Sequence, residues 1–113
     1  MDSQRKAETR REYKEQVQPK GIYCVRCAAG AQVWVDSSRN LEASENRLNF
    51  SLKTGSILNG SLRQELALHG AEHFGFEVLE VFDPDLSAYQ LAELLKERRK
   101  YWLQSLSAQR LHG

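Results

Sequence analysis

The sequence predicts an α+β domain, a three-stranded antiparallel sheet flanked by helices. Three observations carry that reading. Two short β-rich runs, 22–27 and 32–36, stand on either side of an Ala-Ala-Gly turn and form a hairpin. Two other stretches, 41–54 and 87–107, space their large apolar residues at helical intervals. Strands and helices do not alternate strictly, which separates this chain from a doubly wound parallel sheet.

The elements follow in order. Residues 3–16 are charged helix formers with no apolar stripe, so a short or frayed helix is expected there, closed off by Pro19 and Gly21. Ile22 to Cys27 is the first strand and Gln32 to Asp36 the second. Ser37, Ser38 and Asn40 are helix-capping types. A helix follows over 41–54, with Leu41, Leu48 and Leu52 on one side and Gly55 as its stop. After a loop with Asn59 and Gly60 come a short helix over 61–69, ended by Gly70, and a third strand over 74–82. Asp83-Pro84-Asp85 breaks that strand. The last helix aligns Leu91, Leu94, Leu95, Trp102 and Leu106 on one stripe. The expected order is ββααβα behind an N-terminal helical segment: a charged segment over 1–20, the domain over 21–107, and a tail over 108–113.

With 113 residues, 41% hydrophobic and 27% charged, the chain suits one domain with a modest core. No apolar run approaches the roughly 20 residues that span a bilayer, and 1–20 has no signal-peptide character. A soluble cytoplasmic protein with no membrane partner is expected. Net charge is +1 but unevenly placed. Residues 1–20 and 91–113 are basic, while 21–90 hold five Lys or Arg against nine Asp or Glu. That acidic middle counts against a general DNA-binding core and slightly favours a protein partner.

Cys24 and Cys27 form a C-x-x-C pair inside a strand, where residues three apart point to opposite faces. A redox role needs the pair at a helix N-terminus. A zinc site needs two further ligands, for which His69 and His73 are the candidates, far away in sequence. The simpler reading is two reduced cysteines, at least one packed as a small apolar residue. His69 and His73 are then surface residues, since Gly70 interrupts any helix between them.

Gly21-Ile22-Tyr23 opens the first strand, and Trp34-Val35-Asp36 lies eleven residues after Tyr23 in the second. Ser37-Ser38-Arg39-Asn40-Leu41 leads into the first helix of the domain. Asn46-Arg47, Phe50-Ser51-Leu52 and Gly55 follow, then Gly70 with Phe74 to Glu80, then Tyr101-Trp102-Leu103. This ordered set, over about residues 12–106, resembles the GIY-YIG nuclease family, in particular its small bacterial single-domain members. The resemblance implies a metal-dependent nuclease scaffold: one cation held by a glutamate of the last helix, with tyrosines and an arginine serving the phosphate. That chemistry needs hard oxygen ligands and a nearby guanidinium.

Carried over residue by residue, the first tyrosine is Tyr23. The second falls on Trp34, which lacks the hydroxyl, and the glycine falls on Asp36. The arginine falls on Ser44 and the histidine of small members on Leu48. The metal-binding glutamate falls on Arg99, with Glu97 two residues away. No confident catalytic residue remains, and the enzyme reading leans towards no. The expected function is a catalytically degenerate binding or regulatory module for a protein or nucleic acid, contacted through Arg39, Arg47, Arg98, Arg99 and Lys100. Arg98 falls within the apolar stripe of the last helix and must snorkel, pair or face a partner. Asp36 is expected to pair with Arg99 or Arg98. Trp34 and Tyr101 are expected in the core rather than stacked on bases. The alternative is a divergent endonuclease cutting DNA with Tyr23, Arg47 and Glu97 or Glu45. No cofactor is expected, and Mg²⁺ or Mn²⁺ only under that alternative. A homodimer through the last helix is a third reading.

Overall fold

The computed structural model describes residues 18–111. The helical segment expected over 3–16 lies outside the described residues. Strand β1 is Gly21–Cys27 and β2 is Val33–Ser38. Helix α1 is Leu41–Thr54 and α2 is Gly60–His69, followed by a single 3₁₀ turn, Ala71–His73. Strand β3 is Phe74–Val81, helix α3 is Ala88–Ser105, and β4 is Gln109–Arg110. The sheet order is β3-β1-β2-β4, antiparallel except for the short parallel β2–β4 pairing.

The mixed α+β class and the three antiparallel strands are those the sequence predicts. The fourth strand is not. The segment expected as a tail returns to the edge of β2, and Leu111 is buried with the core. Asn59 fixes it there. Its Oδ1 accepts the Leu62 amide and so caps α2, while its Nδ2 donates to the carbonyls of Arg110 and Leu111 at 3.2 and 3.0 Å. A two-residue strand carries too little periodic pattern to be read from sequence.

Pleat alternation divides the core. Tyr23, Val25, Cys27 and Trp34 point to one face and pack with Leu41, Leu48, Ile57, Leu62 and Leu111. Ile22, Cys24 and Val35 point to the other and pack with Phe82 and with Leu91 and Leu95 of α3. The two cysteines thus lie on opposite faces, both reduced and buried. Gly21 is required by close approach: a Cβ there would stand 1.8 Å from the Glu80 carbonyl oxygen of β3. Beside it the β1–β3 register shifts between Ile22 and Tyr23.

The helix ends follow side-chain chemistry. Asn40 Oδ1 accepts the Ala43 amide at the start of α1. Ser87 and Gln90 form a reciprocal capping box at the start of α3. Among the described residues no helix is long and apolar enough to cross a membrane.

Candidate functional site

A cleft of about 710 Å³ opens where the C-terminal end of β2 meets α1, α3 and the loop before α2. Tyr23 forms part of its floor, paired in register with Asp36 across the β1–β2 ladder. Ser37 and Ser38 end β2 at its rim. Helix α1 contributes Ser44, Arg47, Leu48 and Ser51. Helix α3 presents Ala92, Leu95, Lys96 and Arg99, whose i, i+3, i+4, i+7 spacing makes one face.

The charges lining this cleft are all of one sign: Arg39, Arg47, Lys96 and Arg99. Among the described residues no aspartate or glutamate lines it. Six hydroxyls, from Tyr23 and Ser37, Ser38, Ser44, Ser51 and Ser56, and the amides of Asn40 and Asn59 complete its polar lining. Such a donor-rich surface suits an anion. It does not fit a divalent cation, which needs hard, usually anionic oxygen ligands. The face of α3 towards the cleft carries Ala92, Leu95, Lys96 and Arg99. Glu97, and Glu45 on α1, do not line it.

Asp36 is buried under the cleft. Its Oδ1 accepts the Ser37 amide at 2.8 Å and stands 3.7 Å from Arg99 Nη1. Arg99 Nη1 also donates to Ser37 Oγ at 3.4 Å. Of the two partners that the sequence offers Asp36, Arg99 and Arg98, the structure pairs it with Arg99. Ser44 hydrogen-bonds Ser38 Oγ at 2.7 Å, and Ser38 Oγ also accepts the Asn40 amide, so the β2–α1 corner is closed by hydroxyls. Burial and then the negative charge of Asp36 push the Tyr23 phenol up to about 12, against smaller opposing effects of Arg47 and a hydrogen bond with Ser44. Tyr23 is therefore a neutral hydrogen-bonding group at physiological pH rather than a ready base.

Of the five cations expected at a contact surface, the structure places Arg39, Arg47 and Arg99 on the cleft and leaves Arg98 and Lys100 off it. The run 98–100 is not one patch, because successive helical residues point about 100° apart. Arg98 turns to β3, where its Nε donates to Glu80 Oε1 at 2.6 Å, and its guanidinium lies 4.3 Å from the Tyr101 ring centre. Tyr101 is exposed rather than core. Trp34 is fully buried, with Nε1 donating to Ser61 Oγ, and does not line the cleft. Leu48 does, as a buried apolar wall. Lys96 is a cleft residue that the sequence reading did not name. Its signal was available in its placement three residues before Arg99.

The sheet order, the hairpin leading into α1 and the packing of α3 on the opposite face define a GIY-YIG nuclease fold. Two solved structures of the catalytic domain of the intron homing endonuclease I-TevI, one of them a point mutant, share it. The mutant superposes with a TM-score of 0.64 at 23% identity, over 80% of this chain and 86% of that one. The other gives 0.63 at 25% identity, over 78% and 88%. No protein-family model matches the sequence, and no curated protein matches it.

Proposed function

We propose that this domain is a pseudonuclease that holds the phosphate backbone of a nucleic acid in the cleft without cutting it. One observation carries the reading: a nuclease fold whose cleft is lined by Arg39, Arg47, Lys96 and Arg99 and, among the described residues, by no carboxylate. Guanidinium and ammonium groups with serine hydroxyls suit phosphate oxygens. Without a carboxylate to fix a cation, the group that would neutralise the leaving oxygen is missing. The acidic composition of 21–90 does not oppose this: none of its carboxylates lines the cleft, and Asp36, buried beneath it, is paired with Arg99.

The Asp36–Arg99 pair takes the place of a metal in bracing the cleft floor. It holds the guanidinium at the rim, against Ser37.

The test combines binding and cleavage. Fluorescence anisotropy with single- and double-stranded DNA and RNA should show affinity that falls steeply with salt. The same oligonucleotides incubated with Mg²⁺ or Mn²⁺ should stay intact. Metal-dependent cleavage that Tyr23→Phe abolishes would instead establish the divergent endonuclease. Absence of binding to all of them would leave the cleft to an acidic protein partner.

A further inference from the structure

The second feature lies at the opposite end of β1, four residues from Tyr23 and roughly 13 Å along the strand. There Cys27 Sγ, a Glu65 carboxylate oxygen and a His69 ring nitrogen lie within 4.8 Å of one another. Cys27 ends β1, and Glu65 and His69 are one helical turn apart on α2. We infer that Cys27, Glu65 and His69 form a zinc site that staples α2 to the end of β1.

The donor chemistry is the first support. Thiolate, imidazole and carboxylate are the ligand types of Zn²⁺, and their mixture is unsuited to Mg²⁺ or Ca²⁺. The distances are the second. Zinc bonds of about 2.0–2.3 Å put tetrahedral neighbours roughly 3.3–3.6 Å apart. His69 Nε2 and Glu65 Oε1 already stand 3.5 Å apart. The thiol, within 4.8 Å of both, completes the set as it moves in to bonding distance.

Space is the third. The three donor atoms converge beside Gly30 of the hairpin turn. A Cβ on Gly30 would lie 2.9 Å from Glu65 Oε1, 3.8 Å from His69 Nε2 and 3.9 Å from Cys27 Sγ. A glycine therefore leaves open the point that all three donors face.

The surroundings are held in place. The Gly30 amide donates to the Cys27 carbonyl at 3.2 Å, and the Ala28 amide to the His73 carbonyl at 2.7 Å. Cys27 and Gly30 also line a shallow cavity beside the hairpin turn, together with His73. Cys24 takes no part: it lies on the other face of the sheet, with its Sγ donating to Glu77. The C-x-x-C spacing therefore does not describe this site, and Glu65 is the ligand that sequence spacing hides. Binding forms a sulfur–metal bond and releases the Cys27 thiol proton to solvent. The anchored helix has one fully buried side chain, Leu62, with Leu66 packed beside it and Ser61 hydrogen-bonded to Trp34.

The experiment is titration of the reduced full chain with Zn²⁺ by calorimetry, and with Co²⁺ by absorption. One equivalent should bind, and Co²⁺ should show a thiolate-to-metal charge-transfer band. Cys27→Ser should abolish that band. Glu65→Gln, which keeps the side-chain volume, should weaken Zn²⁺ binding more than about tenfold. The affinity of Cys24→Ser should match the parent chain. Three results would overturn the site: no Zn²⁺ uptake by the folded full chain, unchanged affinity in both Cys27→Ser and Glu65→Gln, or a charge-transfer band that survives in Cys27→Ser and disappears in Cys24→Ser.

Discussion

The Arg99 guanidinium stands 3.7 Å from the carboxylate of Asp36, joining the last helix to the end of β2 across the floor of the cleft. The Asp36 side chain is 6% exposed and that of Arg99 23%, so the pair is shielded on one side only. Removing the arginine takes the positive charge from beside a buried carboxylate that still accepts the Ser37 amide. Arg99→Gln should lower stability by about 1–3 kcal/mol, read as a shift in the urea midpoint. Asp36→Asn should act in the other direction on binding. It frees the guanidinium and removes a negative charge from the floor, so nucleic-acid affinity should rise several-fold.

Affinity at the cleft should follow the count of phosphate contacts. If three of the four cations meet phosphates, log K against log salt on duplex DNA should slope at about −3. Arg47→Gln should reduce that slope by about 1, and Lys96→Gln likewise, with little change in sequence preference. Lys100→Gln, off the cleft, should leave the slope unchanged. Anisotropy over a range of salt concentrations measures all three.

Glu80 braces the opposite side of the domain. Its Oε1 accepts from Arg98 Nε at 2.6 Å and from Trp102 Nε1 at 2.7 Å, linking β3 to α3. Glu80→Ala should cost about 1–3 kcal/mol in urea unfolding, because both donors lose a charged acceptor in a half-buried setting. Nucleic-acid affinity should be nearly unchanged, which separates this contact from those of the cleft.

Tyr23 gives the stability a defined response to alkali. Its phenol is raised from about 10 to about 12 in the folded chain, mainly by burial. Between those values the unfolded chain ionises while the folded chain keeps its proton. Stability is therefore at its full value below pH 10 and falls as pH rises towards 12, by about 2 kcal/mol from this group. Tyr23→Phe should remove that part of the decline. Cys24 behaves similarly as a thiol: burial and its hydrogen bond to Glu77 raise it to about 11. It should react with alkylating reagents at pH 8 only when the chain unfolds, as followed by mass spectrometry.

The sequence by itself determined the element order from β1 to α3, the ends of α1 at Leu41 and Thr54, and the placement of Cys24 and Cys27 on opposite faces. These rest on local rules: the period of the apolar residues, the capping power of Asn40 and the alternation of a strand. It also offered Arg99 or Arg98 as the partner of Asp36, on their opposite charges, without deciding between them. Tertiary structure decided the rest. Rotation about α3 sent Arg98 to Glu80 and Arg99 to Asp36, although the two arginines are adjacent in the chain. It set Lys96 on the cleft and removed Lys100 from it. It returned the C-terminal residues to the sheet as β4, through contacts with Asn59 some 50 residues earlier. Glu65 joined Cys27 only because α2 crosses the end of β1. Each of these depends on which side of an element faces a distant neighbour, and chain order does not carry that information.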